Sequence, residues 1–487
     1  MAWTIAGSDS GAGAGIQADL ETFRAFGIHG ANVLTAVTAQ NTHDVTSISP
    51  LSTEIIDDQI AALERDLAPA AIKTGMIGTG HCVKRVAEHM ARWHLPIVCD
   101  PVLMSGTGHR LSDESVVSAF QTDLFPKCRL ITPNRFEAET LSGKRASPSN
   151  DLSSVAADLL KFGSHSVLLK GGHSEDPKTI QHYWVNSEGR SACLSKPRHP
   201  GGPFHGTGCT LSSAITASLA LGHSELDALV LAEIFVSRSV QGSYRQGRGS
   251  ALLSRPTSAE SGFSPENLPS LNYHSDSLGN CFPAMSGRDL GFYPLVANAN
   301  HALQLLKMGV KTLQIRIKTL SGFALDNEIA KTAQIARQYE ARLFVNDYWD
   351  LAIKHNAYGI HLGQEDLSTA DLKQISLSGL RLGISTHSYS EMARAHAFRP
   401  SYVAIGPVFK STMKSMNFAP LLAEKFASLR RLFPYPVVAI GGITLERAAS
   451  VIEAGADSIA VGTDVIRDQG LEDHIHRWLA KFGASSP

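Results

Sequence analysis

Apolar residues in this chain fall into short runs. Each run ends in polar or glycine-rich residues, and most are followed by a stretch with helical spacing. In the second half the runs read "FYPLVAN", "TLQIRIK", "RLFVND", "YGIHLG", "LRLGIST", "YVAIGPV", "PVVAIGG" and "SIAVGT", with patterns such as "AKTAQIARQYEA" and "LERAASVIEAG" between most of them. Eight evenly spaced strands alternating with helices predict a small (β/α)8 TIM barrel. The first half alternates in the same way, through "WTIAGSD", "VLTAVTAQN", "AAIKTGMIG", "PIVCDPVL", "RLITPN" and "SVLLKGGH". That pattern predicts an open α/β sheet with mixed additions. Residues 248–289 hold no sustained period and are rich in Ser, Pro, Gly and Asn, so they read as a linker. The expected division is a first domain at 1–255, a linker at 256–286 and a barrel at 287–487. Ligands on open sheets gather at the carboxyl ends of the strands. There the sequence places "SD", "QN", "DP", "TPN" and "KGGH".

A chain of 487 residues is long enough for two cores of this size. Lys and Arg number 44 against 45 Asp and Glu, a net charge of −1, which argues against a surface built for nucleic acid or anionic membrane. The six cysteines show no Cys-x-x-Cys and no zinc spacing, so they read as reduced thiols. The start, "MAWTIAGSDS", runs straight into a strand without a signal-like segment, and no apolar stretch is long enough to span a bilayer. A soluble, cytoplasmic enzyme acting on small molecules is expected.

The loop "GSDSGAGAGIQ" lacks the Gly-Lys-Ser/Thr of a P-loop, and its glycines at 11, 13 and 15 miss the dinucleotide spacing. More telling is "HGTGCTLSSA", residues 205–214. There the backbone N–H groups of Gly206, Gly208 and Cys209 converge at the start of an apolar helix, where the dipole favours phosphate. A packed turn with a buried cysteine is the competing reading of that stretch. In the barrel, Asp347 ends "LFVND" and Asp366 follows "IHLGQE", two carboxylates on adjacent loops of one rim. With a substrate pyrophosphate they make a natural Mg²⁺ site, near Asn346 and the basic pair Arg316 and Lys318. "GGI" at 441–443 and "VGT" at 461–463 match a barrel phosphate site built from backbone N–H groups.

"IAGSDSGAGAGIQADL", "TAQNT", "DPV", "LITPNRFEAE", "LLKGGH" and "HGTGCTLSSA" follow one another as in the hydroxymethylpyrimidine and hydroxymethylpyrimidine phosphate kinases of the ribokinase-like group, which the first 250 or so residues resemble. The resemblance implies ATP as co-substrate and places Asp19, Gln40 and Met76 at the pyrimidine. It places Asn134, Glu137 and Lys170 at Mg-ATP, with Glu137 acting through water on the metal and Lys170 as a point charge on phosphate. Gly206, Gly208 and Cys209 then form the catalytic anion hole. Its rim is a thiol whose pKa, lowered at a helix N-terminus, lets it take the acceptor's proton. The run after "DPV", "LMSGTGHRLS", departs from the usual pattern of this group. A homodimer through this domain is a further expectation.

"QIRIK", "VND", "HLGQEDL", "LGIST", "AIGPVF", "AIGGIT" and "IAVGT" look like thiamine phosphate synthase, from residue 290 to about 480. That family joins hydroxymethylpyrimidine diphosphate to a thiazole phosphate and releases pyrophosphate. The resemblance implies diphosphate binding by Gln314, Arg316, Lys318, Asn346, Ser385 and Lys414. It implies thiazole phosphate binding by Ser411, Thr412, Gly442, Gly462 and Thr463, and Mg²⁺ at Asp347 and Asp366. Met413 stands where a hydroxyl is usual, and "VGT" replaces the common apolar residue and Ser. The expected function is a bifunctional enzyme for consecutive steps of thiamine assembly. Its rivals are a pyridoxal-type kinase fused to another phosphate-binding barrel, and a non-catalytic sensor of pyrimidine or thiamine phosphate.

Overall fold

The computed structural model describes all residues except 106–107, 145–151, 173–175, 261, 274–275, 277–278, 286–289, 411–419, 467–468 and 484–487. The chain forms two compact units. One is Met1–Gly262 with Asn267–His274, the other Phe263–Glu266 with Ser275–Pro487.

The strands of the first unit are β1 (Ala2–Asp9), β2 (Gly30–Gln40), β3 (Val45–Pro50), β4 (Ala71–Thr74), β5 (Ile97–Cys99), β6 (Leu130–Ile131), β7 (Ser166–Leu169), β8 (Thr179–Asn186), β9 (Ser191–Pro197), β10 (Phe204–His205), β11 (Ala251–Leu252) and β12 (Ser270–Tyr273). Ten of them make one sheet in the order β12-β9-β8-β7-β6-β5-β4-β1-β2-β3, while β10 and β11 pair separately. Pairing from β2 through β7 is parallel, and the strands outside that block run antiparallel. Parallel strands are covered on both faces and therefore read as unbroken apolar runs, as β5, β6 and β7 do. β4 breaks that rule with Lys73, which is fully buried against Asp19.

β12 lies inside the segment expected to be linker. Leu271 is fully buried there and the strand pairs with β9 along the sheet edge. Four residues after a proline are too few to display a period of two, which is why the pattern did not reveal this strand.

The second unit closes as a barrel of β13 (Gly291–Val296), β14 (Thr312–Ile315), β15 (Arg342–Asn346), β16 (Gly359–Leu362), β17 (Arg381–Thr386), β18 (Tyr402–Ile405), β19 (Val437–Ile440) and β20 (Ser458–Val461), all parallel. Large and small residues alternate across its interior. Phe344 pairs in register with Gly359, and Gly383 with Tyr402. A Cβ on Gly383 would lie 2.1 Å from the Tyr402 ring, and one on Gly359 2.5 Å from Phe344. The two glycines therefore make room for the aromatic layer that fills the barrel.

Candidate functional site

In the first unit β1 ends at Asp9, and the glycine loop that follows folds around that carboxylate. Asp9 accepts from the N–H groups of Gly11 (2.8 Å), Gly13 (3.1 Å) and Ala14 (2.9 Å), and pairs with His205 Nε2 at 2.9 Å. Burial works against its charge, but His205 and these amides win and hold its carboxyl below the usual range. Three amides of this loop are thus spent on Asp9, which leaves the second glycine loop as the better anion cradle. Gly206, at φ 84°, caps the helix Thr207–Ala220 with no side chain bonded over its first turn. A Cβ there would lie 1.9 Å from the Gly13 carbonyl oxygen, so only glycine lets the two loops touch. Orphan N–H groups at such a helix start favour an anion. A Cβ on Gly208 would stand 3.2 Å from Lys170 Nζ and 3.5 Å from Asp100 Oδ2.

Alternating charges lie beside this turn. Lys170 Nζ is 2.7 Å from Asp100 and 3.9 Å from Glu137, and all three side chains are buried. Asn134 and Glu137 form a reciprocal capping box at the start of the helix Arg135–Ser142. Burial, with Asp100 adding to it, pushes Glu137 up to about 7 against the opposing pull of Lys170. Burial also opposes the Lys170 charge, but the carboxylates of Asp100 and Glu137 prevail and raise its pKa. Gln40, at the end of β2, places its amide 3.2 Å from His205 Nε2. Met76 packs with Ala36, Val45 and Leu111.

Two expectations need correction. Asp19 does not line an open pocket. It is fully buried, one oxygen taken by Lys73 (2.8 Å) and Thr4 (2.6 Å), the other by Ser213 (2.6 Å). Nor is the Cys209 thiol lowered. Burial pushes it up to about 11, because desolvation outweighs nearby Lys73 and the Gly15 N–H while Asp19 and Asp100 add to the rise.

At the barrel rim Asp347 takes φ 67° at the end of β15, and its carboxylate pairs with Lys318 Nζ. Asp366 opens a short turn and accepts from the Gly363 N–H at 3.0 Å. Burial and the adjacent Asp347, which reaches hydrogen-bonding range, raise its pKa. The two carboxylates therefore lie beside each other at the rim. Like charges held together in this way fit a divalent cation. Among the described residues no group of three or more His, Cys, Asp or Glu converges, so substrate or water oxygens must complete such a shell.

Asn346 is buried beside Asp347 in the chain, with Arg316 partly exposed just past the end of β14. Ser385 Oγ lies 2.8 Å from His361 Nε2, and His361 Nδ1 2.8 Å from the Tyr402 hydroxyl. Tyr402 meets Tyr293 at 3.0 Å, and Gln314 donates to Tyr293 at 3.1 Å. Burial drives His361 down to about 4, with the Arg316 and His387 charges assisting against Asp347, so it is neutral at pH 7. Gly442 (φ 62°) and the turn Thr463–Val465 after Gly462 follow the neighbouring strands β19 and β20. Ser411, Thr412 and Lys414, with Met413, lie outside the described residues.

Residues 9–254 match the phosphomethylpyrimidine kinase family and residues 295–465 the thiamine monophosphate synthase family. Over 461 residues the chain is 32% identical to the thiamine biosynthetic bifunctional enzyme TH1, chloroplastic, of Arabidopsis thaliana, which covers 94% of this chain and 87% of that protein. The chain belongs to the bifunctional thiamine-biosynthetic enzymes. It is a transferase with a ribokinase-like kinase ahead of a TIM-barrel synthase. The barrel half of this bifunctional enzyme is 49% identical over 204 residues to the thiamine-phosphate synthase of Citrobacter koseri, 42% of this chain and 96% of that protein. Its kinase half resembles the Staphylococcus aureus pyridoxal kinase solved in complex with pyridoxal. The TM-score is 0.50 at 29% identity, over 56% of this chain and 98% of that one. Among the described residues no helix of the bifunctional enzyme is long and apolar enough to cross a membrane.

Sequence reasoning missed several of its groups. Asp9 and His205 were in plain view inside "GSDSG" and "HGTGC", but only the fold pairs residues 196 positions apart. Lys73 carried a signal, a lysine inside an otherwise apolar strand. His361 and Tyr402 carried none, because both sit in runs that read as ordinary barrel strands.

Proposed function

We propose that the kinase half phosphorylates hydroxymethylpyrimidine and its monophosphate from ATP, and that the barrel couples the resulting diphosphate to thiazole phosphate. The observation that carries the first step is the approach of Gly208 to Lys170 and Asp100 at a helix start with no side-chain cap bond. Phosphoryl transfer asks for positioning and charge neutralisation, and this turn offers both. Lys170 meets the transferred phosphate, Asn134 and Glu137 face the nucleotide side, and Gln40 with Met76 faces the pyrimidine. Cys209 stands at the rim as a neutral thiol that orients the acceptor hydroxyl. Asp19 acts from behind, fixing Lys73.

In the barrel, Asp347 and Asp366 hold Mg²⁺, which when bound neutralises the departing pyrophosphate. Arg316, Lys318, Asn346, Gln314 and Ser385 bind that group as the pyrimidine–CH₂–O bond ionises, and Lys414 completes the set. The thiazole nitrogen then captures the cation, with Ser411, Thr412, Gly442, Gly462 and Thr463 holding the thiazole phosphate. Neutral His361 fixes the Ser385 hydroxyl without adding charge.

The test supplies ATP, Mg²⁺ and hydroxymethylpyrimidine, with and without thiazole phosphate, to wild type and Asp347→Asn. Diphosphate should form in both proteins, and thiamine phosphate only in wild type with thiazole phosphate present. Phosphorylation of pyridoxal in preference to the pyrimidine would sink the kinase assignment. Unimpaired coupling by Asp347→Asn at limiting Mg²⁺ would sink the metal assignment.

A further inference from the structure

We propose that the segment joining the two cores is a working part of the synthase, with Asp276 the positioning residue for the loop that carries Asp366. Arg394, on the helix Tyr389–Phe398, donates from Nε to Asp276 Oδ2 at 3.1 Å and from Nη2 to Oδ1 at 2.6 Å. Both side chains of this bidentate pair are buried. The same guanidinium donates to the Gln364 carbonyl at 2.8 Å and to Ser368 Oγ at 2.9 Å. Gln364 in turn donates from Nε2 to the Ser385 carbonyl at 2.8 Å. One cation thus grips both sides of the turn on which Asp366 sits, and through Gln364 reaches the end of β17.

Asp276 is what makes that grip durable. A buried guanidinium without a counter-charge is costly, so it turns toward water when it can. Without Asp276, Arg394 keeps a carbonyl and a hydroxyl from this set but no negative partner among them. Further along the same segment, Ser376 Oγ donates to the Cys281 carbonyl at 2.6 Å and Ser401 Oγ to the Pro283 carbonyl at 2.7 Å. These bonds fasten the segment to the barrel on both sides of its course. Asp276 reaches the turn that carries Asp366 through Arg394.

The proposal rests on the assignment of Asp347 and Asp366 to Mg²⁺, and the test separates the two. Full-length enzyme receives pyrimidine diphosphate and thiazole phosphate directly while Mg²⁺ is titrated, and binding of Mn²⁺ in its place is followed by paramagnetic resonance on the same proteins. Asp276→Ala should raise half-saturating Mg²⁺ about tenfold, the scale on which outer partners tune metal sites. Kinase turnover in the same protein should stay within about twofold, as for independent sites. The double variant Asp276→Leu/Arg394→Leu removes both members of the buried ion pair and safeguards folding, and it should keep the raised Mg²⁺ requirement. A wild-type Mg²⁺ requirement in Asp276→Ala, or its return in the double variant, overturns the proposal. Asp366→Asn, measured alongside, should abolish coupling. If it does not, the metal assignment fails first, and this proposal with it.

Discussion

Burial holds the Cys209 thiol near 11, so at neutral pH it is neither a ready base nor a ready nucleophile. Alkylation of Cys209 should therefore be slow at pH 7 and accelerate with pH well beyond 9. Peptide mapping can follow it against exposed Cys281. Cys209→Ala should lower kinase turnover by roughly 10²-fold or more, as expected for losing a group that orients a proton transfer. Coupling of supplied diphosphate should stay near wild type, and loss of both activities in a folded variant would refute separate sites. Glu137 presents the opposite case, a carboxylate raised to about 7 by burial. Its folded pKa exceeds the unfolded value, so the stability it contributes is complete below about 4.5 and is lost as pH rises through 7. Glu137→Gln keeps an acceptor for the Asn134 N–H and removes the charge. Its melting temperature should therefore exceed that of wild type at pH 8 and converge with it near pH 4.5, while ATP-dependent turnover falls. A constant difference across that range would show that Glu137 is ionised throughout.

Parallel strands were legible because burial on both faces writes them as apolar runs, and the barrel was legible because eight such runs recur with helices between. The antiparallel additions were harder. β8 carries His182, whose polarity interrupts the run, yet that residue is buried for a reason the fold supplies. His182 Nδ1 accepts the Gly171 N–H at 3.1 Å, so its proton sits on Nε2, which faces Glu233 at 3.1 Å. Lys196 also pairs with Glu233. This arrangement anchors the "KGG" turn directly after Lys170. Burial lowers the His182 pKa, with Lys196 and Lys170 assisting and Glu233 opposing. A depressed histidine contributes stability above its unfolded pKa and loses it as pH falls below about 6.5. Protonated Nδ1 would become a donor facing the Gly171 donor. KM for ATP should therefore climb at acid pH, below the ordinary histidine range, while KM for the pyrimidine stays level. In His182→Asn, whose amide oxygen keeps the acceptor, the climb should vanish. A pH-independent KM for ATP in wild type would show that the anchor does not reach Lys170.

For the whole molecule, the division at 255 and 286 suggested by low periodicity cuts through contacts that both cores use. Leu271 is fully buried in β12, a burial worth about 2 kcal/mol, and β12 covers the edge of β9. Asn267 donates to Gln241 at 3.0 Å, another bond lost to a fragment ending at 255. A fragment starting at 287 lacks Asp276 and the carbonyls of Cys281 and Pro283, leaving Arg394, Ser376 and Ser401 without those partners. A cut between 274 and 275 keeps each of these contacts with its own core. Fragments 1–274 and 275–487 should be soluble and separately active. Mixed in equal amounts, they should carry hydroxymethylpyrimidine through to thiamine phosphate, with a lag while diphosphate accumulates. The pair 1–255 and 287–487 should melt lower, and its synthase should need more Mg²⁺. Residues 263–266 group with the second unit, where the Phe263 ring meets Tyr389 edge-on, so the cut after 274 gives up that one contact. Equal melting temperatures and equal Mg²⁺ requirements for the two pairs would mean that residues 256–286 are a plain tether after all.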